Sequence, residues 1–145
     1  METSERQNER LVANFTTLMK PMGKARPRHT ASGVVFTPKA TRIAEQIISW
    51  DCVNAMARSD YSSKEPCRVC IKATFKVPKY RTNEGLIGDP VTKKPDADNI
   101  GKLVLDALNG VAYKDDSQVY SIEVEKIWAE FDSVQVWVFE TIPRN

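Results

Sequence analysis

Lys94-Pro95-Asp96-Ala97-Asp98-Asn99-Ile100-Gly101-Lys102-Leu103-Val104-Leu105-Asp106-Ala107-Leu108-Asn109-Gly110 is the stretch on which the reading of this chain turns. Ile100, Leu103, Val104, Ala107 and Leu108 recur at the spacing of one helix face. They predict a helix that starts at Asp98 or Asn99, either of which can cap it, and ends at Asn109-Gly110. Asp98, Lys102 and Asp106 fall at i, i+4 and i+8 and share the other face. Upstream of the helix the chain should be extended, which lets Asp96 and Asp98 point to the same side. Beyond it, Lys114-Asp115-Asp116-Ser117 brings two more carboxylates. Clustered carboxylate oxygens hold hard divalent cations, and Mg²⁺ keeps several waters while touching substrate phosphates. A metal held in this way, with Lys102 one helical turn beyond Asp98, is what phosphodiester hydrolysis requires.

Downstream, Val119 to Trp128 and Ser133 to Thr141 are rich in Val, Ile, Trp and Phe and predict a hairpin turning near Glu130-Phe131-Asp132. Upstream, Cys67, Val69, Ile71, Ala73, Phe75 and Val77 alternate with Arg68, Cys70, Lys72, Thr74 and Lys76, a half-buried strand whose two thiols face opposite sides. Between that strand and Asp96 there is no periodicity, and Pro78, Gly85, Gly88, Pro90 and Pro95 break the chain. A loop of this length in a compact domain is functional or mobile. Its Lys79, Arg81, Lys93 and Lys94 make residues 78–95 a basic, substrate-contacting arm. Nearer the N-terminus, a flexible stretch 1–10 precedes a strand from Leu11 to Met19 with Leu11, Ala13, Phe15 and Met19 on one side. Lys20 to Gly33 is a basic loop, and Val34 to Phe36 a short strand. Thr37-Pro38 opens a helix with Thr37 as N-cap, running to about Ala57 on the face of Ala40, Ile43, Ala44, Ile47 and Ile48. Ser59 to Pro66 is a polar linker. The order predicts one α/β (α+β) domain over 1–145, a small mixed β-sheet with two main helices.

The length suits one domain with a real core, and 41% hydrophobic with 28% charged residues is ordinary for a globular protein. No apolar run approaches the ~18 residues of a membrane span, and Met1 to Arg10 lacks a signal-peptide core, so a cytoplasmic protein without a membrane partner is expected. Net charge is only +2, yet its distribution is lopsided. Lys20 to Arg42 holds six basic residues and no acid, whereas Asp96 to Glu140 holds ten acids against three lysines. An acidic, metal-binding centre flanked by basic arms suits a polyanion; a solvated charged surface is the plain alternative.

Competing chemistries fail on spacing. Cys67-Arg68-Val69-Cys70 has zinc-like spacing, but only Cys52 and His29 remain to complete a site, and three cysteines make no disulfide framework. An EF-hand beginning at Asp96 fails at Ile100 and at Ala107, where a bidentate Glu is needed. A nucleotide-sugar transferase needs a longer chain. His29 suits a phosphate or surface contact, and Trp50, Trp128 and Trp137 suit core or interface.

Lys94-Pro-Asp-Ala-Asp-Asn99, followed by Lys102, Asp106-Ala-Leu-Asn-Gly110 and Tyr113-Lys-Asp-Asp-Ser-Gln-Val119, resembles the motif of the RusA family of Holliday-junction resolvases. Gly23-Lys-Ala-Arg-Pro-Arg28 and Val35-Phe-Thr-Pro-Lys39 are similar to the N-terminal pattern of its phage and prophage members. The resemblance implies a homodimeric, Mg²⁺-dependent endonuclease, with one or two ions per site, that nicks a four-way DNA junction symmetrically in recombination and repair. By position it implies Asp96, Asp98 and Asp116 as metal ligands, with Asp115 as a neighbouring carboxylate, and Lys102 as the essential lysine. Lys24, Arg26, Arg28, Lys39, Lys79, Arg81, Lys93 and Lys94 are the residues expected to contact DNA. Two alternatives stay open: a non-catalytic module whose acids bind a structural cation while the basic arms hold DNA, and a nuclease acting mainly on flaps or other branches in phage replication or packaging.

Overall fold

A computed structural model of the chain describes residues 1–26, 28–36, 38–56, 58, 60–80 and 86–144, with the backbone alone at 28 and 36. Thr37, Ala57 and Arg81, named above as helix cap, helix end and DNA contact, lie outside the described residues. The elements run β1 (Glu9–Thr17), β2 (Arg28–His29), β3 (Val35–Phe36), α1 (Lys39–Ala55), β4 (Cys67–Lys76), α2 (Ala97–Leu108), β5 (Val119–Ala129) and β6 (Ser133–Thr141). β2 and β3 form a small antiparallel ribbon within the basic segment. The other strands make one mixed sheet in the order β1-β6-β4-β5, β5 parallel to β4 and the remaining pairs antiparallel. This is the single α+β domain expected from the element order.

The expected hairpin of the last two strands does not form. β5 and β6 flank β4 on either side, Cys67 facing both Val119 and Glu140. β4 is buried on both faces over most of its length and takes the centre, where such a strand belongs. Residues 130–132 step over its end: Thr74 donates to the Phe131 carbonyl (2.9 Å), and the Lys76 amide to Asp132 Oδ1 (2.9 Å). Two strand spacings, about 10 Å, are within reach of that short connection.

β4 is also more buried than a half-buried strand. Arg68 and Cys70 are fully enclosed and Thr74 nearly so. Cys67 lies in the core on the helix side, whereas Cys70 lies against Arg68 and the Glu2 carbonyl on the other face. The covering is the chain before β1. The Arg68 guanidinium donates to Glu9 Oε1 and Oε2 (2.9 and 2.8 Å) and to the carbonyls of Glu2 (2.9 Å) and Ser4 (3.0 Å). It also stacks 4.4 Å from the Phe139 ring centre. The Arg68 hydrogen bonds outweigh burial and, with those of the Arg6 amide and Tyr120, lower the Glu9 pKa to about 2.

Two apolar stripes depart in part from their expected faces, although Ala13, Phe15, Ala44 and Ile48 are buried as expected. A bulge between Leu11 and Ala13 turns Val12 inward and Leu11 out. α1 buries Thr41, Ala44, Ile48 and Cys52 and leaves Ile43, Ile47 and Trp50 exposed, because one narrow row of small residues meets β1 and α2. The long loop is partly organised. Residues 88–91 lie along the open edge of β5, with Gly88 donating to Trp128, Trp128 to Asp89 and Val91 to Lys126, each at 2.9 Å. That edge is thereby covered. Among the described residues no helix is long and apolar enough to cross a membrane.

Candidate active site

α2 begins at Ala97, with Asp96 rather than Asp98 or Asn99 as its N-cap. The backbone therefore turns helical before Asp98, which lies in the first turn, so the two acids are not an extended pair. The Asp96 side chain makes no capping bond to the helix, and its Oδ2 sits 3.3 Å from Lys94 Nζ. Ile100, Gly101, Leu103, Val104, Ala107 and Leu108 face the core as the periodicity predicts. This leaves Asp98, Lys102 and Asp106 on the exposed side, one turn apart. A Cβ on Gly101 would come 3.1 Å from Ile122 and 3.4 Å from Val124, so glycine lets α2 lie close upon β5.

Two groups position the start of this helix. Lys126, on β5, donates to the carbonyls of Lys93 (2.6 Å) and Pro95 (2.8 Å), bracketing Lys94 just ahead of Asp96. Sequence reasoning passed over it, although a signal existed: Lys126 interrupts the apolar alternation Ile122, Val124, Trp128. From the other side, the Lys24 amide donates to the Asn99 carbonyl (3.0 Å), and a Cβ on Gly23 would lie 2.9 Å from the Asn99 Cβ. The Lys24 ammonium bridges Glu45 of α1 and Asp106 of α2, at 3.1 Å from the latter. Replacing Lys126 by Met keeps its stem and removes both hydrogen bonds. For the nuclease that the sequence resemblance implies, the expected result is about a 10- to 100-fold loss of cleavage rate, since small displacements of reacting groups are costly. Rates of Lys126→Met and Lys126→Arg on branched DNA, with thermal melts beside them, check this; arginine should recover part of the rate.

Asp115 and Asp116 are at the other end of α2. Gly110 (φ +76°) reverses the chain, and the buried Tyr113 ties the turn to the helix by donating to the Leu105 carbonyl (2.8 Å). Gln118 then accepts from the amides of Lys114 and Asp115, both at 2.9 Å, and Ser117 donates to Asp115. Asp116 opens a short 3₁₀ turn, Asp116–Gln118, leading into β5. Leu105 lies about 10 Å along the helix axis from Asp98. Within the chain Asp116 does not join Asp96 and Asp98, and among the described residues no three Asp, Glu, His or Cys side chains gather as a metal site.

The expected DNA contacts spread around this centre. Lys94 is beside Asp96, and Arg26, Lys39 and Lys79 are exposed. The Lys93 ammonium lies 5.2 Å from the Trp128 ring centre and 5.9 Å from that of Phe75. Lys24 spends its charge within the protein, and the Arg28 side chain is outside the described atoms.

A curated relative, "Uncharacterized protein YqaN" of Bacillus subtilis (strain 168), is 32% identical over 138 residues, which span 87% of this chain and 94% of the relative. The family model described as Endodeoxyribonuclease RusA matches residues 19–138, from the end of β1 through most of β6 and across every acid and lysine of the α2 region. By that match the chain belongs to the RusA family of endodeoxyribonucleases, structure-selective hydrolases that act on branched DNA.

Proposed function

We propose that this protein is a Mg²⁺-dependent crossover-junction endodeoxyribonuclease that works as a homodimer, making paired symmetric nicks in four-way junctions during recombination and repair in the cytoplasm. The observation that carries the reading is the pairing of Asp96 and Asp98 at the start of α2, exposed and unspent on helix capping, with Lys102 one turn farther on. Two hard carboxylates fit a cation that takes its remaining ligands from water and phosphate. When bound, the cation would activate a water and neutralise charge on the scissile phosphate. Asp96 and Asp98 hold it, Lys126 keeps their backbone in place, and Lys102 lays a fixed positive charge against a phosphate oxygen. The N-terminus of α2 adds the positive end of its dipole to the same spot.

The separation of Asp116 from this pair supports a site completed between two protomers, with Asp116 of one protomer beside Asp96 and Asp98 of the other. A two-fold dimer of this kind presents two equivalent centres to symmetric strands. The test mixes subunits. Asp98→Asn and Asp116→Asn proteins are each inactive on a synthetic immobile junction. Mixed and reassembled, they form heterodimers in which one centre carries both defects and the other carries neither. Nicking should return to about a quarter of the wild-type level with random pairing. No recovery, with heterodimers demonstrated, would place a complete centre in each protomer. Cleavage of linear duplex as fast as of the junction would remove the junction preference.

A further inference from the structure

At the C-terminal end of β4 the fold collects four lysines from three separate stretches of the chain. Lys20, just beyond β1, joins Lys76 and Lys79 at the end of β4 and Lys93 ahead of α2 around a cavity of about 190 Å³, whose floor includes Phe75, Val77 and Pro78. Among the described residues lining it one is acidic, Asp132, and its Oδ1 accepts the Lys76 amide. A cleft lined by Lys20, Lys76 and Lys93 concentrates positive potential and attracts anions. The cavity is far larger than one water needs, at about 30 Å³. It is also anchored to the cleavage centre. Lys93 rests on the Trp128 and Phe75 rings, and its carbonyl is held by Lys126, which holds the Pro95 carbonyl as well.

Resting on the nuclease reading above, we propose that Lys20, Lys76, Lys79 and Lys93 form a seat for one DNA phosphodiester close to the one that is cut, and that this seat sets where on the strand the cut falls. Lys93 and Asp96 are three residues apart, at most about 10 Å of chain. At 3.4 Å of axis per nucleotide, the seated phosphate lies within about three nucleotides of the scissile one. Charge at this distance from the metal carboxylates acts by fixing the register of the strand, so its loss alters cut position and affinity rather than the chemistry.

The experiment uses junctions carrying a single neutral methylphosphonate at each successive position near the cleavage site. Binding is measured in EDTA and cleavage in Mg²⁺, for the wild type and for the double variant Lys20→Gln/Lys76→Gln, both positions being exposed. For the wild type, one methylphosphonate within about three nucleotides of the cut should weaken binding about tenfold and scatter the cut sites. The double variant should bind the unmodified junction correspondingly more weakly, with a salt slope smaller by about 1, and be indifferent to that methylphosphonate. The same sensitivity in both proteins, or none within that window, would overturn the seat while leaving the nuclease standing. A wild type that neither binds nor cuts the unmodified junction would instead overturn the reading on which it rests. A third arm adds inorganic phosphate alone: saturable binding lost in the double variant, with DNA binding unchanged, would assign the cavity to a free anion and overturn the DNA role.

Discussion

Asp98→Asn lowers strand cleavage about a thousandfold or more, while binding to the four-way junction is kept or tightened. A thousandfold corresponds to about 4 kcal/mol of barrier. Asn has the shape of Asp but not its charge, and a neutral amide is a poor ligand for a hard cation. Asp98 is exposed in the first turn of α2 and makes no packing contact with the core, so the fold tolerates the change. The lost attraction to the helix dipole costs at most about 1 kcal/mol. Removing a negative charge beside the phosphates favours binding, and that opposite movement of binding and cleavage separates lost chemistry from a damaged protein. Gel-shift titration in EDTA and single-turnover cleavage in Mg²⁺ measure the two on the same junction. Cleavage at the wild-type rate would exclude Asp98 from the centre, whereas junction binding without any cleavage by the wild type would favour the reading of a DNA-binding module. Asp96→Asn is expected to behave in the same way.

The second large effect is on stability. Glu9→Gln is expected to destabilise the fold by about 3 to 5 kcal/mol, because it leaves the enclosed Arg68 charge without its carboxylate. For a chain of this size that lowers Tm by roughly 10 °C. The pH dependence follows from the sign of the shift. Glu9 titrates at about 2 in the folded protein against 4.5 ordinarily. Its contribution is therefore complete above pH 4.5 and is lost as pH falls from there toward 2. The shift corresponds to about 3 kcal/mol. Urea unfolding at several pH values should show the gap between wild type and Glu9→Gln wide at pH 7 and narrowing below pH 4.5. A gap unchanged down to pH 2 would mean that the carboxylate charge is not what Arg68 needs. Glu9, Glu2 and Ser4 precede the residues that match the family, so this clamp over the back of the sheet belongs to the chain's own N-terminal part.

Where sequence and structure agree, one element's own pattern decides the matter. The stripe Ile100-Leu103-Val104-Ala107-Leu108 admits one helix and one buried face, so Asp98 and Lys102 could be placed on its outer side from spacing alone. The element order and the α+β class were legible for the same reason, as was the opposition of Cys67 and Cys70 across the sheet. In α1 two adjacent rows are apolar, and spacing cannot choose between them. The approach of β1 and α2 chose Ala44 and Ile48 and left Ile43 and Ile47 in water.

Local pattern by itself determined that this chain folds as a small α+β domain presenting acids and a lysine at the start of a helix, because helix and strand periods are properties of neighbouring residues. Tertiary structure alone decided that β4 lies between β5 and β6, since a three-residue connection is long enough either to close a hairpin or to step over a third strand. It likewise decided that Arg68 is buried, that Lys126 braces the motif, that lysines from three stretches of the chain share a cavity and that Asp116 does not gather with Asp96 and Asp98. These are distances between residues remote in sequence, and the competition of apolar surfaces for one core sets them.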